Sequence, residues 1–169
     1  SYSGSDWRDL LTAYDGNTIE YDTIGNPEKY GDWQMQWQHG RQLASMTDGT
    51  TTWSHTYNAD GMRTKRTNGT TTYSYIYNGS QMMQMKKGSD TLDFSYDASG
   101  TPLTVTYSGT VYYYVTNLQG DITSIVDAAG TTVATYSYDA WGNVLSTTGS
   151  MADTLGQLNP LRYRGYVYD

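Results

Sequence analysis

Tyr138-Asp139-Ala140-Trp141-Gly142 is the stretch whose reading decides the fold. An aromatic residue leads, Asp or Asn follows, two residues intervene, and Gly closes. The same arrangement stands at Tyr21-Asp22-Thr23-Ile24-Gly25, at Tyr57-Asn58-Ala59-Asp60-Gly61 and at Tyr96-Asp97-Ala98-Ser99-Gly100. Degenerate copies are Trp37-Gln38-His39-Gly40, Tyr77-Asn78-Gly79-Ser80 and Val115-Thr116-Asn117-Leu118-Gln119-Gly120. The copies begin at 21, 37, 57, 77, 96, 115 and 138, so successive steps are 16, 20, 20, 19, 19 and 23 residues. A regular spacing in this range marks stacked structural units.

Working outward, a second set of turn signals lies between the first: Asp48-Gly49, Asn68-Gly69, Lys87-Gly88, Ser108-Gly109 and Ala129-Gly130. Asn-Gly and Asp-Gly supply the positive φ angles of two-residue hairpin turns. Each unit therefore reads as strand, tight turn, strand, wider turn. In the wider turn, Asp or Asn bonds to nearby backbone and Gly closes it. The segments between turns alternate with a period of two residues. Trp53, His55 and Tyr57 share one face and Thr52, Ser54 and Thr56 the other; Leu92, Phe94 and Tyr96 oppose Asp93 and Ser95. This is the pattern of half-buried antiparallel strands. Val111 to Val115 is apolar or aromatic on both faces and is expected to be covered on both sides. Consecutive hairpins should then pair side by side into a long twisted antiparallel sheet.

Composition agrees with β structure. The 169 residues include 18 Tyr and 5 Trp but one Phe, and mean hydropathy is −0.67. Tyr and Thr suit a pleated surface, and 14% aromatics separates the chain from disordered polar sequences. A net charge of −7 argues against nucleic acid as a partner. The one basic run, Arg63, Lys65 and Arg66, reads as a solvated strand whose charges discourage edge aggregation. With no Cys, disulfides and thiolate metal sites are excluded. No apolar stretch is long enough to span a membrane as a helix.

Catalytic chemistry finds little to work with. The two His, His39 and His55, sit apart in sequence, and His55 reads as a packed sheet residue. Asp22, Asp97 and Asp139 recur at equivalent places of different units, which is turn chemistry, whereas an acid–base pair is a single constellation. The nonapeptide period of calcium-binding solenoids is absent, so neither a metal nor a cofactor is expected. The aromatic faces do suit stacking on sugars or contact with choline, so a cell-wall or carbohydrate-binding module is the alternative reading.

These residues closely resemble the Rhs/YD-repeat family. Tyr138-Asp139-Ala140-Trp141-Gly142-Asn143 is a near-ideal copy of its repeat. Asn159-Pro160-Leu161-Arg162-Tyr163-Arg164-Gly165-Tyr166 resembles the opening of the Rhs-associated core, and Tyr112 to Asp121 resembles another part of that region. Trp7 to Pro27 looks like repeats of Gram-positive wall-associated members. The resemblance implies an all-β fold of tandem antiparallel β-hairpins in a twisted, spiralling sheet that forms part of a shell. It implies a non-enzymatic scaffold, enclosing a C-terminal toxin in a secreted or cell-surface bacterial protein. Residues 1–147 are expected to form an array of about seven units. Residues 148–169 are expected to begin a core-like segment on the same domain, with a short helical turn at Ser150 to Leu155.

The chain opens in mid-pattern at Ser1-Tyr2-Ser3 and stops at Tyr168-Asp169, so it is expected to be a piece of something longer. The family's self-cleavage segment and toxin are missing from it. The positions expected to matter are structural: Tyr21, Asp22, Gly25, Tyr57, Asn58, Gly61, Tyr77, Asn78, Tyr96, Asp97, Gly100, Asn117, Gly120, Tyr138, Asp139 and Gly142. Expected partners are the adjacent repeats, the toxin domain of the full-length parent, other copies of the chain through exposed edges, and a cell-wall glycan. No nucleic acid partner is expected.

Overall fold

The computed structural model describes residues 10–168; the beginning of the Trp7 to Pro27 stretch, at Trp7-Arg8-Asp9, lies outside them. The fold is all-β and antiparallel, and the chain divides between Tyr75 and Ile76 into two compact units. In the first unit the strands lie side by side in chain order. They are β1 (Ala13–Tyr14), β2 (Asn17–Tyr21), β3 (Pro27–Tyr30), β4 (Trp33–Gln38), β5 (Gln42–Thr47), β6 (Thr52–Tyr57), β7 (Arg63–Thr67) and the start of β8 (Thr72–Asn78). In the second they are β9 (Gln81–Lys87), β10 (Asp90–Tyr96), β11 (Pro102–Tyr107), β12 (Thr110–Thr116), β13 (Ile122–Val126), β14 (Thr132–Tyr138) and β15 (Val144–Thr148). Each pairs with its sequence neighbour, as in Leu92↔Met85 and Leu92↔Tyr107.

The two-residue alternation becomes burial. Along β10, Leu92 and Phe94 are buried and Asp93 is exposed. Val105, Ile122, Ile125 and Tyr136 continue that apolar layer in the second unit. Burying each Leu or Ile there contributes about 2 kcal/mol. The layer is capped by the chain after β15. Met151 N–H donates to the Val133 carbonyl at 2.8 Å, a π-helical turn spans Ala152–Gly156, and Leu155 and Leu161 are buried. The expected helical turn is therefore present, in its wide form.

Three sequence expectations are corrected. Strand β12 is covered on one side only: Val111, Tyr113 and Val115 are more than 40% exposed, while Tyr112 and Tyr114 face inward. The basic run is not wholly solvated. Lys65 is exposed, but the Arg66 guanidinium lies 4.2 Å from the Tyr73 ring centre and 5.1 Å from that of Trp53. This stacking is a cation–π contact. Of the five tight turns read from the sequence, only the Lys87-Gly88 and Ser108-Gly109 signals mark two-residue turns, Gly88-Ser89 and Ser108-Gly109. Asp48 and Asn68 open four-residue loops, since Thr47 pairs with Thr52 and Thr67 with Thr72.

Candidate functional site

The recurring motif builds one loop, repeated. At Asp97, the backbone N–H donates to the Thr101 carbonyl, and Gly100 N–H donates back to the Asp97 carbonyl. The Asp97 Oδ1 accepts from the N–H groups of Ser99 and Thr101 at 2.8 and 2.9 Å. One side-chain oxygen thus satisfies two amides that the sheet cannot, which is why Asp or Asn is needed. Asp22, Asn58, Asn117 and Asp139 make the same pair of bonds. Gly closes each loop in the left-handed region, with φ of +93° at Gly142. The carboxyl of Asp97 is held below its usual range, first by the Ser99 hydroxyl and then by the Thr101 amide. That of Asp139 is lowered chiefly by the Asn143 side chain.

A further copy escaped sequence reading. Asp127 accepts from the amides of Ala129 and Thr131, and Gly130 N–H returns to Asp127. Val126 stands where the aromatic would be, so the aromatic-first pattern missed it. The signal was Asp127 three residues before Gly130. Conversely, Asn78 does not build the loop. It ends β8, and Gln81 begins β9, which leaves only Gly79 and Ser80 between them.

The aromatic position has its own task. Strand register shifts by one residue just before it, as between Ser137 and Tyr138. Such a bulge takes backbone groups out of the ladder. The motif aromatics return a donor to that place from the next hairpin. Tyr138 Oη donates to the Ile122 carbonyl at 2.6 Å, Tyr57 Oη to Leu43 at 3.0 Å, and Trp37 Nε1 to Pro27 at 2.7 Å. Ile122, Leu43 and Pro27 each directly precede the extra residue of a bulge. Tyr96 donates likewise to Met82, and Tyr21 to Leu11. Tyr77 is half-buried at the end of β8. Burial pushes the Tyr96 hydroxyl up to about 12 and raises Tyr114, Tyr136 and Tyr138 as well. These phenols are kept as neutral donors.

The terminal segment locks onto this ladder through groups whose roles the sequence did not reveal. Asn159 is fully buried; its Oδ1 accepts from Tyr114 Oη at 2.7 Å and its Nδ2 donates to the Leu161 carbonyl at 2.6 Å. Arg162 donates to the carbonyls of Gly156, Gln157 and Asn159, and its guanidinium lies 5.3 Å from the Tyr136 ring centre and 4.6 Å from that of Tyr168. Arg164 N–H donates to Asp121 Oδ1 at 2.9 Å. Tyr163 lies over Gly142, where a Cβ would stand 2.5 Å from the ring.

In chemical terms this is a set of structural joints. Among the described residues no group of three or more acidic, His or Cys side chains converges as a metal site, and no helix is long and apolar enough to cross a membrane. In the first unit an open apolar cleft of about 420 Å³ is lined by Leu11, Tyr14, Ile19, Tyr21, Tyr30 and Met35 among others.

Comparison with known proteins agrees with this geometry. The RHS Repeat family model matches residues 117–150, which hold the Asn117, Asp127 and Asp139 loops. The tRNA3(Ser)-specific nuclease WapA of Bacillus spizizenii is 33% identical over 166 residues, covering 94% of this chain. The chain is an Rhs/YD-repeat protein. The tRNA nuclease WapA of Bacillus subtilis is 34% identical over the same length. This repeat chain spans only 7% of either relative. The fold also matches crystal structures of TcdB2-TccC3. The TEV form gives a TM-score of 0.54 at 14% identity over 92% of this chain and 8% of that one. The form without the hypervariable C-terminal region gives 0.55.

Proposed function

We propose that this chain is a section of wall in a β-shell that encloses a C-terminal toxin, in a secreted or cell-surface bacterial Rhs-type protein, and that it has no enzymatic activity of its own. The observation that carries the reading is the tether from the motif aromatics Trp37, Tyr57 and Tyr138 to the preceding bulge. It uses the distinctive side chains of the repeat to hold backbone. Residues 1–147 act as the repeat array, and residues 148–169 as the start of the core segment that seals its end. The motif positions from Tyr21 to Gly142 are structural, and the nuclease activity named for the WapA relatives belongs to other parts of those long chains.

The test has two arms. Purified chain is incubated with tRNA, which should stay intact; cleavage would overturn the non-enzymatic assignment. In the longer parent, Tyr57, Tyr96 and Tyr138 are together replaced by Phe. Limited proteolysis should then release the downstream domain sooner, and unchanged protection would count against a wall function.

The apolar cleft beside the exposed Tyr14 favours a second reading, a cell-wall or glycan-binding surface. Saturable co-sedimentation with bacterial walls, competed by soluble glycan, is its expected result; absence of binding removes it. Edge pairing between copies of the isolated chain would appear as concentration-dependent light scattering.

A further inference from the structure

Eight asparagines occur in the chain, and two of them, Asn68 and Asn78, precede glycine. Asn-Gly is the dipeptide most open to intramolecular imide formation, because glycine has no Cβ to crowd its own nitrogen. The deprotonated glycine nitrogen attacks the asparagine Cγ. An N–Cγ bond forms, the Cγ–Nδ2 bond breaks, and ammonia leaves with protons supplied by solvent. Water then opens the cyclic imide at either carbonyl. One opening yields aspartate; the other yields isoaspartate, in which the backbone runs through the side chain. The net change is one water consumed and one ammonia released.

The fold treats these two identical dipeptides differently. Asn68 sits in a four-residue loop, where its Oδ1 accepts from Thr70 N–H at 3.1 Å and Thr71 N–H at 2.7 Å. The attacking group is engaged as well, since Gly69 N–H donates to Thr67 Oγ1 at 3.2 Å. Reaction there requires the carboxamide to leave both amides and Gly69 to leave the threonine. Asn78 is exposed and followed by a turn of two residues, Gly79-Ser80, too short to close around its carboxamide the cage that holds Asn68. The space around the Gly79 Cα is open, with no heavy atom within 4 Å of where a Cβ would stand.

We infer that Asn78-Gly79 is a site of spontaneous deamidation selected by the fold, and that its twin at Asn68-Gly69 is shielded. Shielding at Asn68 does not arise because an acidic product would be rejected. Asp48 occupies the equivalent place one hairpin earlier and accepts from Thr50 and Thr51 N–H at 2.8 and 2.7 Å, the same arrangement with a carboxylate. The barrier is kinetic. At Asn78 the isoaspartyl product inserts an extra backbone carbon into a turn of minimal length, and either product adds a negative charge there.

The test incubates the full chain in mildly alkaline buffer, folded and in parallel unfolded in urea, and follows each asparagine by peptide mass spectrometry. Folded protein should convert at Asn78, with Asn68 slower by about tenfold or more, the size expected when a hydrogen-bonded pair must first be broken. In urea the two sites should react alike. Asp48→Asn creates a third Asn-Gly inside a caged loop, and position 48 should be as slow as Asn68. The inference is overturned if Asn68 or the new site keeps pace with Asn78 in folded protein. It is equally overturned if Asn78 stays intact while the unfolded sample reacts.

Discussion

The Tyr138 hydroxyl donates to the carbonyl of Ile122, the residue immediately before the bulge of the preceding loop, across 16 positions of sequence. Removing that hydroxyl leaves a carbonyl displaced from the ladder without its donor. Tyr138→Phe should therefore destabilise the second unit by about 1–2 kcal/mol, read from urea unfolding. A loss within error would mean that water replaces the phenol at no cost.

The loop cage predicts a contrast between two substitutions at one position. Asp97→Ala strands the amides of Ser99 and Thr101 and should lower the urea midpoint, by analogy with loss of a helix cap. Asp97→Asn should cost less, because Asn58 and Asn117 already fill the same place. Equal losses would show that charge, and not the shared oxygen, matters.

Gly142 and Gly130 both have positive φ, but only Gly142 lies beneath a ring. Gly130→Ala should carry the backbone strain alone, about 1–2 kcal/mol. Gly142→Ala should cost more, since Tyr163 must also move. Pairing it with Tyr163→Ala should recover the excess in a double-mutant cycle. Equal effects at the two glycines would remove Tyr163 from its assigned place.

Arg162 carries a buried charge satisfied by three carbonyls and two ring faces. Arg162→Lys cannot reproduce that fork. It should destabilise by about 2–3 kcal/mol, as for a broken buried charged network, and should speed proteolysis after Thr148. Intact resistance to protease would show that Leu155 and Leu161 suffice to hold the segment.

The titrating groups give stability limits on both sides. The Asp97 and Asp139 carboxyls are held below the usual carboxylate range, so their contribution is present above that range and lost as pH falls through the lowered values. Tyr96 is raised from 10.0 to about 12. Its contribution is complete below 10.0 and disappears as pH rises through about 12. Unfolding followed against pH should steepen in both windows, and Asp97→Asn should flatten the acid limb.

Much of this was legible because the repeat is local. The pattern from Tyr96 to Gly100 contains its own cage, and the alternation of Leu92, Asp93 and Phe94 states which side is buried. What was hidden depends on residues far apart in the chain. Nothing near Tyr138 announces that its hydroxyl serves Ile122, and Asn159 and Arg162 acquire meaning only when the terminal segment folds back onto Tyr114 and Tyr136. The two-sided aromatic run at β12 misled because a sheet face can expose Tyr113 and Val115 without penalty large enough to forbid it. Turn lengths were also misjudged. Asp48-Gly49 and Ser108-Gly109 look alike as dipeptides, yet Asp48 gathers two amides and so favours the longer loop.

Because strands within each unit lie in the order in which they are encoded, a hairpin interacts mainly with those made just before and just after it. Removing or duplicating one hairpin leaves the other pairings intact, provided the cut falls between equivalent loops. Each hairpin can therefore pair as soon as the one before it exists, whereas the terminal segment must fold back onto Tyr114 and Asp121, some 45 and 43 positions earlier.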